Sequence, residues 1–101
     1  MEQMKKALEN FMTGINQDPR ISLSHIGLFS VLLHLREENQ GLEPFPIKRE
    51  ELMRSAKISS TATYFKIIGQ LHEYGYIQYF PTFNRMSQSK VKLSFDQQLS
   101  I

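Results

Sequence analysis

The chain contains no cysteine. That excludes disulfides, thiolate nucleophiles and cysteine-ligated zinc together, and it fits a reducing compartment. It also lacks any apolar run of about twenty residues, so no membrane-spanning helix is expected. The opening stretch MEQMKKALENFM is interrupted by charged and polar residues. It has neither the apolar run nor the small-residue cleavage site of a secretory signal, which points to the cytoplasm. No Walker loop, no G-x-G-x-x-G and no nucleophile elbow occurs.

Imidazoles are few: His25, His34 and His72. His25 and His34 stand nine apart on one predicted helix, which is not the i, i+4 spacing of a shared metal. His72 is near a predicted helix C-terminus, where a cation is favoured. Glu37-Glu38 and Glu50-Glu51 read as solvated helix faces rather than acid/base pairs. A length of 101 residues gives one domain with one modest core. The expectation is therefore not an enzyme, with no catalytic residues, no cofactor and no metal.

Net charge is small, +2 with the histidines neutral, but it is unevenly placed. From Lys48 to Phe95 there are eight cations against three carboxylates; the rest of the chain carries four against seven. Such a concentration of positive charge is the footprint expected of a polyanion binder.

The stretch Ile58–Ile77, ISSTATYFKIIGQLHEYGYI, lies inside that basic half. Ser59 or Ser60 can cap a helix by accepting from an orphaned backbone N–H. Gly75 can end it in the left-handed conformation. Between them Tyr64, Ile68, Leu71 and Gly75 recur at helical spacing and define an inner face. The outer face carries Ser60, Thr61, Thr63, Lys66 and Gln70. Hydroxyls, an amide and a cation can bond phosphates and base edges without repelling a polyanion. The plainer alternative is a Ser/Thr-rich first turn that only caps.

In chain order, Met4, Leu8, Phe11 and Met12 predict a short amphipathic helix over 1–12 that ends before Gly14. Asn16 to Arg20 is a loop, so residues 1–20 form an N-terminal helix and loop. Ser22 or Ser24 opens a helix to about Asn39, whose apolar residues Leu23, Ile26, Leu28, Phe29, Val31, Leu32, Leu33 and Leu35 cover more than half its circumference and so place it centrally in the core. Gly27 is expected to permit a close helix crossing, and Arg36, Glu37 and Glu38 to form a solvated last turn. Pro44 and Pro46 make 42–47 an extended connector or edge strand. Lys48–Ala56 is a third helix, Lys57 and Ile58 a turn, and Ser59–Tyr74 the fourth helix. Tyr76–Pro81 and Lys90–Phe95 alternate as the strands of a hairpin with a polar, basic tip. Residues 96–101 are a tail.

This order predicts an α+β, mainly α chain: a winged helix-turn-helix over 21–95, with a three-helix core, a C-terminal β-hairpin wing and an extra N-terminal helix. The 59–74 helix would enter the major groove of double-stranded DNA with Ser59, Ser60, Thr61, Thr63, Lys66 and Gln70. Lys48, Arg49 and Lys57 would support it, and the wing (76–95) would bring Arg85, Lys90 and Lys92 to phosphates or the minor groove. Among the aromatic residues, Tyr64, Phe65, Tyr74, Tyr76, Tyr79 and Phe80 are spaced for core and wing packing. Phe83, at the hairpin tip, is the one placed to stack on a nucleobase.

Thr63-Tyr64-Phe65-Lys66, followed by Ile68, Leu71, Glu73 and Gly75-Tyr76-Ile77, resembles the recognition helix and first wing strand of a group of bacterial winged-helix proteins. Tyr79, Pro81 and Asn84 are similar to wings of small regulators carried on conjugative and mobilisable elements. The resemblance spans roughly Ser22 to Leu93. It implies that Ser60, Thr61, Thr63 and Lys66 face DNA, and that Tyr64, Ile68, Leu71 and Ile77 are core. The chain departs from the group in having Ser60, Thr61 and Ala62 where basic residues are usual. The expected role is transcriptional regulation, with a homodimer joined through the Met1–Met12 helix and no membrane association. The alternatives are a replication or mobile-element accessory module on the same surface, and a winged-helix protein-interaction module that does not bind DNA.

Overall fold

The computed structural model describes residues 2–83 and 87–93. Their order is α1 (Glu2–Asn16), α2 (Leu23–Glu38), β1 (Phe45–Pro46), α3 (Arg49–Ala56), α4 (Thr61–Glu73), β2 (Ile77–Phe80) and β3 (Lys90–Leu93). This is an α+β arrangement, mainly helical, with a small antiparallel sheet. None of its helices is long and apolar enough to cross a membrane among the described residues. The predicted tail 96–101, Arg85 and the last wing residues Ser94 and Phe95 lie outside the described residues.

α1 runs past Gly14 instead of stopping before it. Gly14 serves packing: a Cβ there would stand 3.2 Å from Cε1 of Tyr76, so the bare backbone makes room for that ring. Ala7 and Phe11 are buried. Phe11 stacks face to face on Phe29 of α2 at 3.9 Å, and Tyr76 meets it edge-on at 5.3 Å. Burial of two such aromatic rings holds a helix that would be marginal alone.

Ser22 caps α2, and its backbone N–H donates to Nδ1 of His25 at 2.9 Å. Leu28, Phe29, Leu32 and Leu33 enter the core. Two expectations are corrected here. Leu23 is 83% exposed, because it precedes the turn where the core begins. Gly27 is not needed for a close crossing, since a Cβ would meet only the Ala56 carbonyl oxygen at an ordinary 3.7 Å.

Arg36 is also not part of a solvated turn; it is only 5% exposed. Its Nε donates to Oε2 of Glu43 at 3.0 Å, and the same oxygen accepts from the backbone N–H of Leu93 at 2.9 Å. A single carboxylate therefore joins the end of α2 to the connector and to β3.

The strands follow β1-β3-β2, antiparallel throughout. Phe45 pairs with Val91; Ile77, Gln78, Tyr79 and Phe80 pair with Leu93, Lys92, Val91 and Lys90. β1 is the proline-bearing edge strand expected from LEPFPI, and pairing ends just before Pro81. The period-two alternation puts Val91 and Leu93 in the core, with Lys90 and Lys92 outside. α4 contributes Tyr64, Ile67, Ile68 and Leu71 to the same core; Ile67 widens the face expected from Tyr64, Ile68 and Leu71.

Candidate functional site

α3 and α4 are joined by a turn whose geometry is set locally. Lys57 adopts the left-handed conformation (φ 61°), and the backbone N–H of Ile58 reaches back to the carbonyl of Met53 at 2.9 Å. Ile58 is then buried, which anchors the turn between the helices. α4 starts at Thr61 rather than Ser59, because Ser60 is the cap: its Oγ accepts from the backbone N–H of Thr63 at 3.2 Å. At the far end Gly75 takes φ 90°, and Gly75 and Tyr76 donate to the carbonyls of His72 and Leu71 at 3.1 and 2.9 Å. This reciprocal pair closes the helix as a Schellman motif. Nδ1 of His72 then accepts from the backbone N–H of Tyr79 at 3.1 Å, tying α4 to β2.

The outward face of α4 is as polar as the sequence suggested. Ser59, Ser60, Thr61, Thr63 and Lys66 are exposed, and the first turn has no acidic residue. Gln70 is a correction. Its Oε1 is bonded at 2.8 Å to Nε2 of the buried His25, so the side chain is held toward α2 rather than offered with the outer row. With Nδ1 of His25 accepting from Ser22, the ring proton lies on Nε2 and is donated to Gln70. No local pattern reveals this contact, because the partners are 45 residues apart.

Lys48 and Arg49 are exposed at the start of α3, and Nη2 of Arg49 donates to Oε2 of Glu50 at 3.1 Å. The Glu50 carboxyl is held below its ordinary range by its own backbone N–H and by the neighbouring Arg49. Lys57 is exposed in the turn. Lys90 and Lys92 stand on the outer face of β3, opposite Phe80 and Gln78, and not at the hairpin tip. Arg85, the cation expected at the tip, lies outside the described residues.

Sequence reasoning misplaced two aromatic residues. Phe65 and Phe80, assigned to core and wing packing, are each 47% exposed. The signal for Phe65 was present: Tyr64 takes the core position, so its neighbour turns about 100° away from it on a helix. Phe65 is braced edge-on by the Tyr64 ring at 5.1 Å. Both rings border an open groove of about 960 Å³ that also meets Lys48, Arg49 and Glu50 on one side and Thr82, Phe83 and Ser87 of the wing on the other. Phe83 is 99% exposed.

On the opposite side of α4 the 17–20 loop is clamped to the helix end. Nε and Nη2 of Arg20 donate to the two Asp18 oxygens, each at 2.8 Å, and the guanidinium lies 3.9 Å over the Tyr74 ring. The Tyr76 hydroxyl donates to Oδ2 of Asp18 at 2.8 Å. These bonds hold the Asp18 carboxyl well below the usual carboxylate range. Among the described residues no cluster of three or more histidine or acidic side chains is arranged to hold a metal ion.

No family model matches the chain, and no curated protein and no solved structure matches it.

Proposed function

We propose that the protein is a winged helix-turn-helix that binds double-stranded DNA sequence-specifically and regulates transcription, without catalysing a reaction. α3 and α4 would be the helix pair, α4 the recognition helix and β2–β3 the wing. The observation that carries this reading is the outer face of α4. Thr61, Thr63 and Lys66, in its first two turns, are exposed with no carboxylate among them, and Lys48, Arg49 and Lys57 are exposed at the start of α3 and in the turn before α4. Hydroxyls and a cation there bond phosphates and base edges at no repulsive cost. α1 presents Leu8 and Met12 outward, which suits a contact between two copies on two half-sites.

Fluorescence anisotropy with random duplex at low salt tests the reading. Binding is expected, with log affinity falling linearly with log salt. Lys66→Ala and Lys48→Ala are each expected to weaken every duplex alike and to lower the salt slope by about one counterion. Thr63→Ala is expected instead to relax base preference at one position of a site selected from a random pool. Absence of binding by the wild type at low salt contradicts the proposal. A single-copy mass by light scattering at micromolar concentration contradicts the dimer alone.

A further inference from the structure

The groove between the start of α3, the middle of α4 and the wing is bordered by the rings of Phe65 and Phe83 and by Lys48, Arg49 and Glu50, and none of the described residues occupies it. Phe83 is almost fully exposed, and Phe65 is half exposed with Tyr64 fixing its orientation. An isolated exposed aromatic needs no explanation. Two around one opening, with Lys48 and Arg49 at its edge, make a pattern: flat apolar faces for a ring and positive charge for a phosphate. Glu50 shares that edge and accepts from Nη2 of Arg49 at 3.1 Å, while Lys48 makes no ion pair among the described residues.

We propose that this groove receives an unpaired nucleobase, stacked on Phe65 and Phe83, with its phosphate against Lys48. The inference rests on the DNA-binding reading and goes beyond it: the protein would prefer duplex containing an unstacked or extrahelical nucleotide to continuous duplex. Thr61 lies one turn before Phe65 on the same helix, so one DNA molecule can meet both. Stacking on an aromatic side chain is sequence-tolerant, because every base has a π-face. The groove would therefore sense the state of the helix rather than its sequence.

The test compares three fluorescent duplexes of equal length: continuous, with one unpaired adenine, and with an abasic nucleotide in place of that adenine. The wild-type chain is expected to bind the bulged duplex roughly 5- to 100-fold more tightly than the continuous one, and the abasic form no better than the continuous one. Phe65→Ala and Phe83→Ala should each remove most of this gain and leave continuous-duplex affinity unchanged. Lys66→Ala should weaken all three probes in proportion. With 2-aminopurine as the unpaired base, wild type should quench its fluorescence on binding and Phe83→Ala should not.

Equal affinity for the continuous and bulged duplexes overturns this inference and leaves the DNA-binding reading standing. An advantage that persists with the abasic probe also overturns it, because flexible DNA and not a base would then be recognised. Binding to none of the three overturns both. Phe83 lies on an exposed segment, so its variant should fold; the circular-dichroism melting curve confirms that any loss belongs to the groove.

Discussion

Among single residues, Arg36 and Glu43 carry the largest consequence for stability. Arg36 is only 5% exposed, and Glu43 faces its guanidinium at 3.0 Å. The same carboxylate oxygen accepts the Leu93 N–H, so its removal strands a buried donor and leaves the buried Arg36 cation to Glu37, whose Oε2 stands 3.6 Å from Nη1. Breaking one partner of a buried pair costs about 3–5 kcal/mol. Glu43→Ala is expected to lower the urea unfolding free energy by up to that amount, since Glu37 still faces the guanidinium. Glu43→Gln keeps an acceptor for Leu93 and should lose less. Joint replacement of Arg36 by Met and Glu43 by Leu should recover part of the loss, since an apolar pair leaves no charge stranded. A Glu43→Ala loss below about 1 kcal/mol, the range of an exposed pair, contradicts this account.

At the level of elements, the turn between α3 and α4 separates folding from binding. Lys57 holds a left-handed conformation that costs an L-residue about 1–2 kcal/mol, partly offset by the greater freedom a glycine loses on folding. Lys57→Gly is expected to raise the melting temperature by a few degrees while lowering the salt slope of duplex binding by about one. Gly75 takes the same region without a Cβ, so Gly75→Ala should destabilise by roughly 1–2 kcal/mol. Thermal melts of the two variants should therefore move in opposite directions.

The same elements show how far the sequence could be read. Capping at Ser60, the stop at Gly75, the alternation of Val91 and Leu93 with two lysines, and the proline edge at 45–46 are local, and local chemistry makes them legible. The contacts that escaped are between distant parts of the chain: His25 with Gln70, Arg36 with Glu43 and Leu93, and Gly14 with the Tyr76 ring. Gly14 reads as a stop because a helix end and a close approach both call for a missing Cβ, and only the tertiary partner distinguishes them. In the candidate site, the exposure of Thr61, Thr63 and Lys66 on α4 was legible, whereas the Phe65–Phe83 groove required the wing to be placed beside the helix.

For the whole molecule, Asp18 and Tyr76 make the docking of the N-terminal part depend on pH at both extremes. Arg20, through its side-chain hydrogen bonds, followed by the Tyr76 hydroxyl, holds the Asp18 carboxyl below its ordinary value. The folded state thus favours the carboxylate. Its contribution is present above the unfolded value of about 4 and is lost as pH falls toward the depressed folded value. Tyr76 behaves in the opposite sense. Burial, and then its hydrogen bond to Asp18, push its phenol up to about 12. The fold favours the neutral phenol, so that contribution is complete below about pH 10 and is lost as pH rises through the raised value. The Tyr64 phenol is also raised, by burial, and adds to the alkaline limb. Urea midpoints should therefore be level between about pH 5 and 9 as far as these groups are concerned, and fall on either side. Asp18→Asn should flatten the acid limb below about pH 4 and leave Arg20 over Tyr74 without its carboxylate. Tyr76→Phe should reduce the alkaline limb without abolishing it, because Tyr64 remains. An acid limb in Asp18→Asn as steep as in wild type would mean that other carboxylates govern it. The clasp would then be only a surface contact, and α1 would owe its place to its buried Ala7 and to Phe11 between Phe29 and Tyr76.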